Sequence, residues 1–326
     1  MAIGFPQSSR RPTDLESLLG ADFMRALDRL DIVSRKIFAG KMPGERRSKK
    51  RGQSVEFDDY RPYIPGDDLR HIDWNVLARF DRLVLKLFRE DEDLGVHILL
   101  DASASMDAGE PNKLICGATL AMALGYLALV NQNRLSIATF GAPGRPSLHR
   151  MAPMRGRPNV RRVADFLLDL FRAPAGGSPS GEPAHAASFH EVMRLAAASR
   201  TGKGVVILIS DMMFREGYLP GLNYFASAAG FDPYLLHVLS PGELDPAREG
   251  AGLVGDLRLT DAETGSAAEV TISSALLKRY HEKLSTLLGG LESACRAREI
   301  RYLLMPSDVN VRQFVLERVR QRGLIG

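Results

Sequence analysis

Residues 97–106 read HILLDASASM: an apolar run ends at Asp101, and two hydroxyls follow at Ser103 and Ser105. Residues 204–212, GVVILISDM, repeat the pattern, with an apolar run that delivers Asp211. Continuous β-branched and leucine runs of this length are those of strands covered on both faces, the condition of a parallel sheet between helices. The flanking segments agree. VHILL, RLSIATFG, GVVILIS, DPYLLHVLS and IRYLLMP read as strands, separated by helical patterns in PNKLICGATLAMALGYLALVNQ, NVRRVADFLLDLF, SFHEVMRLAAAS and LPGLNYFASAAG. The sequence predicts an α/β fold with a doubly wound, mainly parallel sheet. Two further alternating runs flank ETGS and predict a β-hairpin inserted at about 255–273. A long amphipathic helix from Ser274 and a closing helix, VNVRQFVLERVRQR, complete the pattern.

The chain has 326 residues, 45% hydrophobic and 25% charged, enough to bury one large core with an appendage. The N-terminus has no apolar stretch of signal-peptide length, and no uninterrupted apolar run reaches eighteen residues. A cytoplasmic protein without a membrane span is therefore expected. Cys116 and Cys295 lie in helical patterns with no ligand-spaced partner, so both read as buried thiols rather than a disulfide or zinc site. The net charge of +4 is concentrated locally, with Arg46, Arg47, Lys49, Lys50 and Arg51 in one cluster.

Residues 1–12 read as a disordered tail and 13–82 as an N-terminal helix followed by an irregular lobe. Thr13 and Glu16 have capping-box spacing, and apolar residues recur at Leu19, Phe23, Leu27, Leu30, Val33 and Ile37 before Gly40. The lobe is charge-rich, yet it carries Phe57, Tyr60, Tyr63, Ile64 and the single tryptophan, Trp74, which predicts order. Residues 83–326 form the α/β domain, beginning with the strand LVLKLF.

Open α/β sheets bind ligands beyond the carboxyl ends of their strands. Asp101 and Asp211 both fall there. A carboxylate and two hydroxyls at spacings of two form a hard-oxygen set suited to Mg²⁺ or Mn²⁺. The competing reading is a polar turn whose serines cap the next helix. Asp211 at the same edge favours the metal.

The pair DASASM and LISDMM in this frame resembles the von Willebrand factor A domain, a Rossmann-type fold, and its metal-ion-dependent adhesion site. The segment RGQSVEFDDYRPYIPGDDLRHIDWNVLARFDRLVLKLF resembles the hallmark of the bacterial family called domain of unknown function 58. That resemblance implies metal ligands at Asp101, Ser103, Ser105 and Asp211, and a threonine in a second loop. The sequence departs from it there, offering Ser188, with Ser178 as the alternative; Ser188 also reads as a helix N-cap with Glu191 three residues on. Asp67, Asp68, Arg70 and Asp73 suggest a salt-bridged knot anchored by Trp74, or else a recognition surface. The resemblance further implies a protein-interaction module that captures a partner carboxylate through its metal, and a MoxR-type AAA+ ATPase as that partner.

No G-x-x-x-x-G-K-[ST] loop, G-x-S-x-G elbow or H-E-x-x-H pair occurs. A non-enzymatic role is therefore expected. An aspartyl-phosphate chemistry at Asp101 needs a nearby lysine or second acid, and the DASAS segment contains neither. Two rivals stand beside this reading: nucleic-acid binding through residues 46–51, and a metal-dependent hydrolase that uses Asp101 and Asp211.

Overall fold

The computed structural model describes residues 10–34, 56–65, 67–89, 94–172, 187–227, 230–246, 255–260 and 267–326. The chain forms two compact units, one of residues 1–39 with 93–326 and one of residues 40–92. Among its described residues, the smaller unit holds an antiparallel pair, β1 (Glu56–Pro62) and β2 (Val84–Arg89), a 3-10 turn (Leu69–His71) and one α-helix, labelled α3 (Trp74–Phe80).

The larger unit opens with α1 (Leu15–Leu18) and α2 (Ala21–Leu27). A six-stranded sheet follows, made of β3 (Leu94–Asp101), β4 (Arg134–Phe140), β5 (Leu148–Arg150), β6 (Lys203–Ser210), β7 (Phe231–Leu239) and β10 (Arg301–Pro306). Its order is β10-β7-β6-β3-β4-β5, and every pairing is parallel except that of β5 with β4. The helices are α4 (Lys113–Val130), α5 (Val160–Arg172), α6 (Phe189–Ala198), α7 (Leu219–Ala226), α8 (Pro241–Leu244) and α9 (Ser274–Arg296). A last turn, Val311–Gln313, runs into a π-helix, Phe314–Val319. The expected hairpin is present as β8 (Gly255–Thr260) paired with β9 (Ala267–Ile272).

Side chains alternate along each strand, so the sheet divides the core in two. Val96, Ile98 and Leu100 face α4 and α5, together with Leu18, Phe23 and Leu27 of the N-terminal helices. Leu99, Val206 and Leu208 face α6, α7 and Leu291 of α9. Helix α4 is long and apolar enough to cross a membrane, but 83% of it is buried inside this unit, where it serves as the core helix. Cys116 and Cys295 are buried thiols, as read from the sequence.

The connections leave β3 towards β4 and leave β6 towards β7, in opposite directions along the sheet. The crevice of a doubly wound fold opens at such a reversal. Asp101 and Asp211 stand on its two sides.

Three boundaries differ from the sequence reading. The strand predicted to open the α/β domain, LVLKLF, pairs antiparallel with 56–62, so the smaller unit extends past residue 82. The single helix expected from Thr13 is two short ones broken at Leu19 and Gly20, and its capping box is Asp14 with Ser17 rather than Thr13 with Glu16. Arg11, read as part of a disordered tail, donates to Asp107 Oδ2 at 2.8 Å and to the Phe171 carbonyl at 3.4 Å. Ile37, Gly40, the ETGS turn and the basic cluster 46–51 lie outside the described residues.

Gly95 and Gly204 are register partners in the parallel pair β3 and β6. A Cβ on Gly204 would sit 1.8 Å from the Gly95 carbonyl oxygen, so the strands close only with glycine there. Gly204→Ala is expected to lower stability by about 1–3 kcal/mol, read as a shifted urea midpoint; an unchanged midpoint would contradict the close approach.

Candidate functional site

Asp101 ends β3 fully buried. Its Oδ1 accepts the Ser103 backbone N–H at 3.0 Å, and its Oδ2 accepts the Ser210 hydroxyl at 2.7 Å. The Ser210 oxygen in turn accepts the Met212 N–H at 2.9 Å. Burial, and next the charge of Asp211, push the Asp101 carboxyl up to about 7; the hydroxyls of Ser210 and Ser103 pull the other way without overcoming them. Among the described residues, no cationic side chain is paired with this buried carboxyl. The Ser103 and Ser105 hydroxyls lie 3.1 Å apart and half-buried. Gly141, at φ +75°, passes beside them, and a Cβ there would meet Asp101 Oδ1 at 3.3 Å and Ser103 N at 3.2 Å. Glycine keeps the space next to the carboxylate open.

Asp211 follows β6 and is equally buried. Its Oδ1 accepts the Met213 N–H at 3.1 Å, and its Oδ2 accepts Lys113 Nζ at 2.8 Å. Lys113, the first residue of α4, is fully buried, and its ammonium also pairs with Glu243 of α8. His237 Nε2 donates to the Asp211 carbonyl at 2.9 Å, which leaves Nδ1 to accept from Tyr302 Oη at 2.8 Å. Burial holds this imidazole down at about 4, in its neutral form. Met212 lies between these groups at φ +55°, a left-handed conformation unusual for its side chain.

These residues fit a small hard cation in part. Asp101, Ser103 and Ser105 supply one carboxylate and two hydroxyls around the space that Gly141 leaves, a donor set suited to Mg²⁺ or Mn²⁺. Asp211 is already matched by Lys113, which casts it as a charge behind the site rather than a free ligand. Ser188 is the N-cap of α6, its oxygen accepting the Glu191 N–H at 3.3 Å in a capping box. The next residue, Phe189, stacks on Phe214 with centroids 4.1 Å apart and lies 6.4 Å from Phe140, the register partner of Asp101. The head of α6 thus reaches the right edge, but among the described residues no hydrogen bond joins Ser188 to Asp101, Ser103 or Ser105. Ser178 lies outside the described residues. Among those described, no group of three or more His, Cys, Asp or Glu side chains is placed to hold a metal, so any ion here depends on the serines.

In the smaller unit, Asp67 forms a two-pronged pair with Arg61 at 2.8 and 2.7 Å and accepts the Ile64 N–H at 3.0 Å. Asp73 caps α3, accepts the Tyr60 hydroxyl at 2.8 Å and pairs with Lys86 at 3.1 Å, which together hold its carboxyl at about 2 against the opposing effect of desolvation. These contacts form the knot read from PGDDLRHIDW. Asp68 and Arg70 make a local, exposed fork. Trp74 is 61% exposed, so it does not anchor the interior of its own unit.

Lys113, Glu243, Ser210 and His237 are the members of the site that the sequence did not single out. The lysine missing from DASAS comes instead from α4, committed to Asp211 and Glu243. Its only local signal is a lysine heading an otherwise apolar helix.

Residues 59–286 match the family described as protein of unknown function DUF58. The uncharacterized proteins Rv1480 of Mycobacterium tuberculosis and Mb1516 of Mycobacterium bovis are each 28% identical over 254 residues, 77% of this chain and 74% of theirs. Among solved structures, the chain is similar to the conserved hypothetical protein BatB from Bacteroides thetaiotaomicron, with 17% identity, TM-score 0.40, and 70% of this chain and 98% of that one covered. It is also similar to a von Willebrand factor type A structure from Catenulispora acidiphila, with 14% identity, TM-score 0.31, and coverage of 61% and 43%.

Proposed function

The chain belongs to the DUF58 family, and we propose that it is a protein-interaction module that binds Mg²⁺ or Mn²⁺ at Asp101, Ser103 and Ser105 and engages a carboxylate of its partner there. The observation that carries this reading is the buried Asp101 carboxyl, paired with no cationic side chain among the described residues, beside two adjacent hydroxyls at the sheet's reversal point. A divalent ion held by few charged ligands supplies an electrophilic site for an external Asp or Glu. The chain's own residues position it: Ser210 and the Ser103 N–H fix the Asp101 carboxylate, and Lys113 keeps the Asp211 charge in place behind it. A role without turnover, in the cytoplasm, as adaptor for a MoxR-type AAA+ ATPase belongs to this proposal.

Calorimetry with MnCl₂ on the wild type and Ser105→Ala tests the site, with binding expected in the first and at least about tenfold weaker in the second. Equal affinities would remove Ser105 from it. A pull-down with and without chelator tests the partner: an AAA+ ATPase recovered only without chelator is expected, and recovery of none under either condition defeats the adaptor role.

A further inference from the structure

Helix α9 turns one stripe inward: Leu277 and Leu284 are half-buried near its start, and Leu291 and Cys295 are buried near its end. Its start is held at the edge that carries Asp211. The Tyr280 hydroxyl donates to the Glu243 carbonyl at 2.6 Å, and the Glu243 carboxylate is the one that pairs with Lys113.

A second row runs along the flank of α9. Leu276, Arg279, Lys283 and Gly290 recur at spacings of three, four and seven, so they share one face of the helix. Gly290 shows where that face looks. A Cβ there would meet the Tyr218 hydroxyl at 3.3 Å, and Tyr218 closes the loop that begins at Asp211. The row thus leads away from the Asp211 loop for about 21 Å, at the rise of an α-helix. Its charge is one-sided. Arg279 and Lys283 are both exposed, and among the described residues neither has a carboxylate partner. The row itself contains no acid, and Glu282 points about 100° round the helix from Lys283. On α8 and just beyond it, Glu243 is already paired with Lys113 and Asp245 lies 3.5 Å from His281. Leu276 is 38% exposed at the far end of the row, and Leu219, beside Tyr218, is 49% exposed at the near end. Two unmatched cations between two uncovered leucines have as their complement a segment that is acidic in the middle and apolar at its ends.

We infer that this face of α9 docks an acidic peptide segment of the partner protein, whose Asp or Glu side chains meet Arg279 and Lys283 and whose apolar residues cover Leu276 and Leu219. This role deepens the proposed interaction function and rests on it, because a partner whose carboxylate enters at Asp101 passes beside the Asp211 loop. Fluorescence anisotropy on the full chain uses three labelled twelve-residue peptides, one of Glu and Leu, one of Glu and Ser and one of Lys and Leu. An oligothymidylate of the same length is the fourth probe, and each is titrated in MgCl₂ and in EDTA. The Glu/Leu peptide is expected to bind at one site, the Glu/Ser peptide at least about threefold more weakly, and the Lys/Leu peptide not at all. Arg279→Glu combined with Lys283→Glu is expected to weaken Glu/Leu binding at least about tenfold. Circular dichroism checks the fold of this variant, and Arg279→Gln with Lys283→Gln gives the same direction where the reversals disturb the helix. Failure of the metal reading has a separate signature: Glu/Leu binding equal in MgCl₂ and EDTA, yet still weakened by the α9 variants, removes the ion and keeps the docking face. Undiminished Glu/Leu binding in the folded α9 variants, equal binding of the Glu/Ser or Lys/Leu peptide, tighter binding of the oligothymidylate, or no Glu/Leu binding in MgCl₂ each overturns this docking role.

Discussion

Lys113→Met is expected to cost about 3–5 kcal/mol of folding stability, the loss typical when one partner of a buried ion pair is removed and the other is left behind. The side chain is fully buried, and Asp211, the buried one of its two partners, is 1% exposed. Methionine matches the lysine stem in length, so the ammonium is the principal group lost and the core of α4 keeps its packing. Lysine heads the helix, where the exposed backbone N–H groups disfavour a positive charge. Two carboxylates, from Asp211 and Glu243, offset that disadvantage. Glu243 is 24% exposed and can turn to water once the lysine is gone, whereas Asp211 cannot. The double variant Lys113→Met with Asp211→Asn is therefore expected to recover much of the loss. Urea denaturation of the four proteins in this cycle gives the coupling directly. A cost below about 1 kcal/mol for Lys113→Met would show that the ammonium does not hold Asp211.

The contrast between Asp101 and Lys113 explains which parts of the site were legible in the sequence. Asp101, Ser103 and Ser105 lie within five residues of one another, at the end of an apolar run, so their convergence needs only a strand and a turn. Asp211 was placed by a second run of the same kind, because parallel strands end at the same edge. Lys113 meets Asp211 across 98 residues and Glu243 across 130, a juxtaposition set by how α4 lies over the sheet. No local pattern carries that information. The same limit applies to LVLKLF, whose alternation announces a strand but not its partner: antiparallel pairing with 56–62 is decided by the smaller unit. At Ser188 the sequence favoured a ligand, with an N-cap as the alternative. The Glu191 capping box accounts for the N-cap, and the hydroxyl has no bond to the Asp101 cluster. Along 13–37 the apolar period continued through Gly20, but Leu18, Leu19, Phe23 and Leu27 all reach one core only because the chain breaks there.

Asp101→Asn is expected to make the metal-free protein more stable at pH 8 and to make it insensitive to Mg²⁺. In the folded chain, burial and Asp211 place the Asp101 carboxyl at about 7, whereas an unfolded aspartate titrates near 3.9. Between those values the folded form holds a proton that the unfolded form has released. The contribution of this group is therefore fully favourable below about pH 4, declines as pH rises towards 7, and remains lost above it. Asparagine removes that dependence while still offering an oxygen to the Ser103 N–H. An increase of about 2 kcal/mol or more over wild type at pH 8 is expected. His97 and His237, both held near 4 by burial, act in the opposite direction, with stability lost as pH falls below about 6.5, but they are common to both proteins and cancel in the comparison. Added Mg²⁺ acts on the wild type alone and narrows the difference. At a hundred times its dissociation constant it stabilises the wild type by about 2.7 kcal/mol and leaves the variant unchanged. At pH 5 the gain shrinks, because the ion must displace the Asp101 proton before binding. Urea midpoints at pH 5 and pH 8, with and without Mg²⁺, separate these effects. A variant less stable than wild type at pH 8 without metal would show that Asp101 is paired within the fold, and an equal response of both proteins to Mg²⁺ would place the ion elsewhere.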